Sequence, residues 1–147
     1  MMNIPYETAI TVMNKLIDFY KKKGINLIPV GSLVRRQKYV NDIDFITNDK
    51  KLGQLHHRST LLHNGDHINY DIWYIPKKYS KLAQFVRSYP KYYIIAIRIG
   101  LHKKGLTLTD KQLINNETGK EVSYTNFKEL VDFSGVKYYS LSHYYEV

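Results

Sequence analysis

Residues 30–46 read VGSLVRRQKYVNDIDFI, and the fold turns on them. A short apolar run, 26–30, stops at Gly31-Ser32. Arg35 and Arg36 follow, and Asp42 and Asp44 then open a second apolar segment ending at Thr47. Glycine allows close approach of the backbone to a ligand and positive φ. Ser32 adds a hydroxyl donor, and the amides after it can form an anion nest if a helical turn starts near Leu33. Arg35 is placed to fork onto a phosphate oxygen. Side chains alternate along a strand, so Asp42 and Asp44 share one face, roughly 6.6 Å apart, while Ile43 and Phe45 point into the core. Two carboxylates this close repel and need a cation between them. A bare Asp-x-Asp is nonetheless ordinary on a solvent-facing strand.

A third acid shifts the balance. Asp71 lies in INYDIWYI, residues 68–75, a strongly apolar and aromatic segment. A carboxylate there is costly to bury unless it is paired or bound to a metal. If this strand neighbours residues 42–47, three carboxylates can hold two metal ions about 3.5–4 Å apart, a geometry that activates a hydroxyl and stabilises a leaving pyrophosphate. Mg²⁺ suits such a site, being held by one or two carboxylates plus substrate phosphates. Asp49 and Asp66 sit in turn sequences and read as turn residues.

Outward from this centre, residues 6–23 carry Ala9, Val12, Met13, Leu16, Ile17 and Tyr20 at helical spacing, with Gly24 as a stop. Residues 50–57 fit either a short helix or a loop. Residues 59–63 and 67–75 read as a hairpin around Asn64-Gly65-Asp66, ended by Pro76. Two helices follow, 79–87 and one opened by Pro90 through 104. Short strands are expected at 106–108, 112–114 and 121–123, then a helix over 126–133 capped by Thr125. The tail from Lys137 reads as a strand or a docked extension. The organisation is an α/β lobe, 1–76, and a smaller helix-and-hairpin lobe, 77–147.

Composition narrows the function. The 147 residues include 22 Lys and Arg against 13 Asp and Glu, a net charge of +9, which points to a polyanionic partner, nucleic acid first and an anionic membrane second. The absence of cysteine excludes disulfides and thiolate metal sites and fits a reducing, intracellular compartment. No run reaches the ~18 apolar residues of a membrane helix, and the first ten residues lack a signal-peptide layout. His56, His57, His63 and His67 cluster in sequence, but without a helical H-x-x-x-H pair or a thiol they make a weak zinc site.

The conjunction of Gly31-Ser32, Arg35, Asp42-x-Asp44 and Asp71 resembles the nucleotidyltransferases of the DNA polymerase beta type, and more narrowly the family X polymerases. YDIWYIP resembles the family strand that carries the third carboxylate, and RIGLHKKGLTLTDKQL its C-terminal helix and hairpin. Over residues 27–122 the likeness is to the reduced viral type known from African swine fever virus, which has only palm and C-terminal subdomains. The resemblance implies an α+β fold: a palm of mixed and antiparallel sheet with flanking helices, 1–76, plus a C-terminal subdomain that binds the nascent base pair, 77–147. It implies a monomeric, template-dependent DNA polymerase acting on gapped or nicked DNA with a dNTP and two Mg²⁺, for which Mn²⁺ can substitute. It places such an enzyme in a host cytoplasm or virion, with no membrane partner. By the same resemblance Asp42, Asp44 and Asp71 are catalytic metal ligands, and Gly31, Ser32, Arg35 and Asn41 bind the nucleotide. Arg98 contacts the template, and Lys77, Lys78, Lys81, Lys91, Lys103 and Lys104 form the DNA-facing basic surface.

The sequence also departs from the pattern. Val34 replaces the usual adjacent arginine, Asn69 replaces an arginine two residues before the third Asp, and Val86-Arg87-Ser88-Tyr89 replaces the segment that gates sugar and base. Tyr89-Pro90 falls where the family has a cis bond and is expected to be cis. Arg36 reads as general basic surface. Two rival functions remain: a minimal transferase that adds AMP to a protein, and a non-catalytic DNA-binding module.

Overall fold

The computed structural model describes residues 3–147; residues 1 and 2 of the expected first lobe lie outside them. In chain order the elements are β1 (Ile4–Pro5), α1 (Tyr6–Lys21), β2 (Ile28–Val30), β3 (Tyr39–Val40), β4 (Ile43–Thr47), β5 (His56–His63) and β6 (Asp66–Tyr74). The second half supplies α2 (Ser80–Ser88), α3 (Lys91–His102), β7 (Leu106–Leu108), β8 (Leu113–Asn115) and α4 (Phe127–Ser134). The main sheet has the order β2-β4-β6-β5, with β4 and β6 parallel and both outer pairs antiparallel.

Alternation along the two central strands decides which side chains face the site. Ile43 and Phe45 of β4 and Tyr70 and Ile72 of β6 pack with Val12 and Leu16, part of the apolar stripe of α1. The other face carries Ile46 and Ile75, which meet Val30 and Ala83 of α2. Asp44 and Asp71 belong to this second face by alternation. The second core, around Ile97, Leu101, Leu113, Leu130 and Val131, joins α3, α4 and the β7–β8 hairpin. Where α3 meets α4, Gly100 leaves no room for a methyl group, because an added Cβ would overlap the Ser134 carbonyl.

Several expectations shift. Asp42 precedes β4 instead of opening it. The hairpin turn is the two residues Asn64 and Gly65, at φ +50° and +85°, so His63 pairs with Asp66 and β5 reaches back to His56. Residues 50–57 therefore divide into a 3₁₀ turn, Lys50–Leu52, and the start of β5. Residues 121–123 form no strand, only a bridge from Glu121 to Ile114. Asn126, not Thr125, caps α4, its side chain accepting the Glu129 N–H at 2.9 Å. Tyr89-Pro90 is trans, correcting the expected cis bond: Tyr89 is extended at ψ 155°, and Pro90 caps the start of α3 directly.

The tail is a docked extension and not a strand. After a 3₁₀ turn, Leu141–Tyr144, the backbone N–H groups of Glu146 and Val147 donate to the Arg36 carbonyl at 3.2 and 3.0 Å. Gln37 Nε2 donates to the Tyr144 carbonyl at 3.1 Å, and the Arg36 guanidinium lies 4.4 Å from the Tyr145 ring centre. Arg36 is thus a docking point for the tail, not merely surface charge. No helix among the described residues is long and apolar enough to cross a membrane.

Candidate active site

The parallel register sets Asp44 beside Asp71 on adjacent strands. Burial, the Asp71 carboxylate and then the Asp42 carboxylate push Asp44 up to about 6, against the opposing pull of Arg87 and Arg58. The Gly-Ser turn lies directly against this group. Val30 ends β2 in extended backbone, and Gly31–Leu33 make one 3₁₀ turn with Gly31 at φ +81°. A Cβ on Gly31 would sit 2.7 Å from Asp44 Oδ2. Gly31→Ala therefore combines left-handed strain, which costs about 1–2 kcal/mol, with displacement of the carboxylate. A lower melting temperature together with a lost metal response is expected, measured by thermal unfolding with and without Mn²⁺.

A cleft of about 680 Å³ opens over these groups. Its lining brings together Gly31, Ser32, Arg35, Asn41, Asp42 and Asp44 from the first lobe. From the second lobe come Lys91 and Arg98. The other proposed DNA contacts lie elsewhere: Lys77 and Lys78 are exposed on a 3₁₀ turn before α2, and Lys103 and Lys104 are exposed past the end of α3. Arg35 ties the turn after β2 to the end of α2, Nη1 donating to the Ser88 carbonyl at 2.8 Å. Arg98 donates through Nε to the Leu108 carbonyl at 3.1 Å and through Nη2 to Asp110 at 3.2 Å.

Asp71 is only 5% exposed and does not line the cleft. Its Oδ1 lies 2.7 Å from His56 Nε2, and its Oδ2 accepts from Arg58 Nη1 at 2.7 Å. The same guanidinium reaches Asp42 Oδ1 at 3.7 Å. The His56 ring stacks flat on Trp73, 3.7 Å between centres and 5° between planes. The Arg87 guanidinium also lies over Trp73, at 4.5 Å, and 3.8 Å from Asp110 Oδ2. Arg87 Nε is buried without a hydrogen-bond partner, and both Arg87 and Trp73 line the cleft. Reasoning from the sequence missed this group of His56, Arg58, Trp73 and Arg87.

Among the described residues, no three His, Asp or Glu side chains close around one point to make a ready metal cage. Asp42 and Asp44 are hard oxygen donors at the cleft, and two carboxylates with substrate phosphates are the set that Mg²⁺ ordinarily takes. Gly31 lets the turn pack directly on Asp44, where a Cβ would crowd Oδ2 at 2.7 Å, and so leaves the carboxylate undisturbed at the cleft. The residues present fit the implied metal.

No family model and no curated protein matches the chain by sequence. Among solved structures it is similar to Leishmania infantum polymerase beta in a ternary P/T complex, with a TM-score of 0.80 and 16% identity. The match covers 96% of this chain and 76% of that one. The fold is polymerase beta-like. The α+β architecture expected from residues 30–46 is therefore observed, with the Gly31 turn, Asp42, Asp44 and Asp71 on or beside its central sheet.

Proposed function

We propose that the chain is a template-dependent DNA polymerase of the family X kind, transferring a nucleotide from a dNTP to a primer 3′-hydroxyl at a gap or nick. The observation that carries this is the β4–β6 register, which sets the buried Asp71 beside Asp44, itself packed against the Gly31-Ser32 turn in the lining of a cleft with cationic walls. Asp42 and Asp44 would hold two Mg²⁺, or Mn²⁺, with Asp71 completing the second site. When bound, these ions supply activation of the hydroxyl and neutralisation of the leaving pyrophosphate. The Ser32 hydroxyl, the amides of its turn and Arg35 hold the terminal phosphates. Asn41 lies beside them at the cleft mouth.

The outer face of α3 supports a nucleic-acid partner. Tyr92, Ile95 and Ile99 are 67, 53 and 54% exposed at helical spacing. Lys91, Arg98 and Lys103 flank this stripe, giving apolar surface for bases between cations for phosphates. On this reading residues 1–76 are the palm and 77–147 the subdomain for the nascent pair, and the enzyme acts as a monomer away from membranes. Within residues 27–122 the viral likeness is carried most directly by Gly31-Ser32-Leu33 and Asn41-Asp42-Ile43-Asp44. Binding to gapped DNA should weaken with salt at a log–log slope of about −0.9 per phosphate contacted, as read by fluorescence anisotropy.

Primer extension across a single-nucleotide gap with Mg²⁺ tests the proposal, wild type against Asp42→Ala/Asp44→Ala. Templated addition that disappears in the double variant supports it. Tight DNA binding without addition would establish a binding module instead, and labelling of a protein by ATP a protein-modifying transferase.

A further inference from the structure

Asp71 is held from two sides by residues of very different freedom. His56 is pinned flat against Trp73 and meets Oδ1. Arg58 lies across the hairpin in direct register with Asp71, and its side chain is 51% exposed while that of Asp71 is 7% exposed. It reaches in from the rim to Oδ2, and the same guanidinium comes within 3.7 Å of Asp42. One half-exposed cation therefore spans two of the three carboxylates.

We propose that Arg58 competes with a divalent cation for Asp71, while His56 keeps the carboxylate in place through the exchange. The proposal rests on the metal-dependent reading above. A guanidinium and a divalent ion cannot share one carboxylate oxygen without strong like-charge repulsion. Arg58 has solvent to retreat into, whereas the His56 ring is held by its stack on Trp73. The balance favours Arg58 until further negative charge enters the cleft. A triphosphate brings that charge, so metal loading at Asp71 is coupled to nucleotide binding. The hydrogen bond from His56 then orients the ligand oxygen, as outer-shell partners of metal-binding carboxylates do.

The test uses the whole chain without DNA or nucleotide. Trp73 is the single tryptophan and lies at the site, so Mn²⁺ binding can be followed by its fluorescence and checked by electron paramagnetic resonance of free Mn²⁺. Arg58→Gln should bind Mn²⁺ about tenfold more tightly, the scale of one charge-assisted hydrogen bond. Arg58→Lys keeps the charge and is the check on folding; its affinity should fall between the two. Lys91→Gln, which removes a cleft charge that touches no carboxylate, should tighten binding by less than about threefold, the scale of a screened exposed charge. His56→Ala should weaken it.

Binding that Arg58→Gln leaves unchanged or weakens, or that Lys91→Gln tightens equally, overturns the competition while leaving nucleotidyl transfer standing. Unchanged affinity in His56→Ala removes the holding role. No Mn²⁺ binding by any form at millimolar concentration, or binding indifferent to Asp42→Ala/Asp44→Ala, overturns the metal-dependent reading and this proposal with it.

Discussion

Asp44→Asn is expected to abolish nucleotide addition and at the same time to make the folded protein more stable. The amide keeps the shape of the side chain but supplies a neutral, weaker ligand at the point where, on the proposed reading, two metal ions and the triphosphate would meet. A loss of about 1000-fold in rate, roughly 4 kcal/mol of barrier, is the expected scale, read by single-turnover primer extension. The stability gain has a separate origin. Burial and two neighbouring carboxylates raise Asp44 from 3.8 to about 6 in the folded chain. Between those values the folded state binds more protons than the unfolded state, so stability falls as pH rises from about 4 to about 6. Above that window the ionised group is a fixed penalty, which the substitution removes. After allowance for its partial exposure, Asp44→Asn should add about 1–2 kcal/mol at neutral pH, or a melting temperature roughly 3–6 °C higher. The gain should shrink as the pH falls through 4 and vanish near pH 3, where Asp44 is protonated in the folded state and largely so in the unfolded one. A wild type that melts at one temperature from pH 4 to 7 would show that Asp44 is not strained by its neighbours.

Gly100→Ala should be the most damaging single methyl in the chain. The added carbon would overlap the Ser134 carbonyl at the α3–α4 contact, and backbone on both sides leaves nothing flexible to yield. Overpacking of this kind costs up to about 3 kcal/mol even where some relaxation is possible, which for a domain of this size is a melting temperature about 10 °C lower. Because α3 also carries Lys91 and Arg98 into the cleft, DNA affinity should fall with it. Gly105→Ala is the natural comparison. Gly105 has φ +78°, but a Cβ there meets nothing within 4 Å, so the cost is conformational alone, about 1–2 kcal/mol. A smaller loss in Gly100→Ala than in Gly105→Ala would mean that α3 and α4 can slide apart.

The carboxylate strand was legible because its chemistry is local. Asp-x-Asp before an apolar run, and one Asp inside an aromatic run, stand out against a two-residue alternation. The partners of Asp71 were legible in principle, but the turn was read one residue too long. Asn64-Gly65 is a strong two-residue hairpin signal. Taken as such it pairs His63 with Asp66, and the same register places Arg58 opposite Asp71 and His56 opposite Trp73. A loop of Asn64-Gly65-Asp66 instead pairs His63 with His67 and shifts the register by one, and a strand that starts at Ser59 leaves both residues outside it. Arg87 is a different case. It reaches Trp73 because Ala83 packs α2 against Val30, Ile46 and Ile75, a contact between lobes that no local periodicity encodes.

The carbonyl of Arg36, a few residues past the Gly-Ser turn, is held by the amides of Glu146 and Val147. Pairings this distant in sequence are the slowest to form, since a long loop must close before they return any stabilisation. The segment that follows the turn proposed to hold the phosphates therefore matures late: a ribosome-bound chain could fold its central sheet and carboxylates well before Arg36 acquires its tail contact. On the proposed reading, folding order, and not only the finished geometry, would thus separate the carboxylates from the segment proposed to hold the nucleotide.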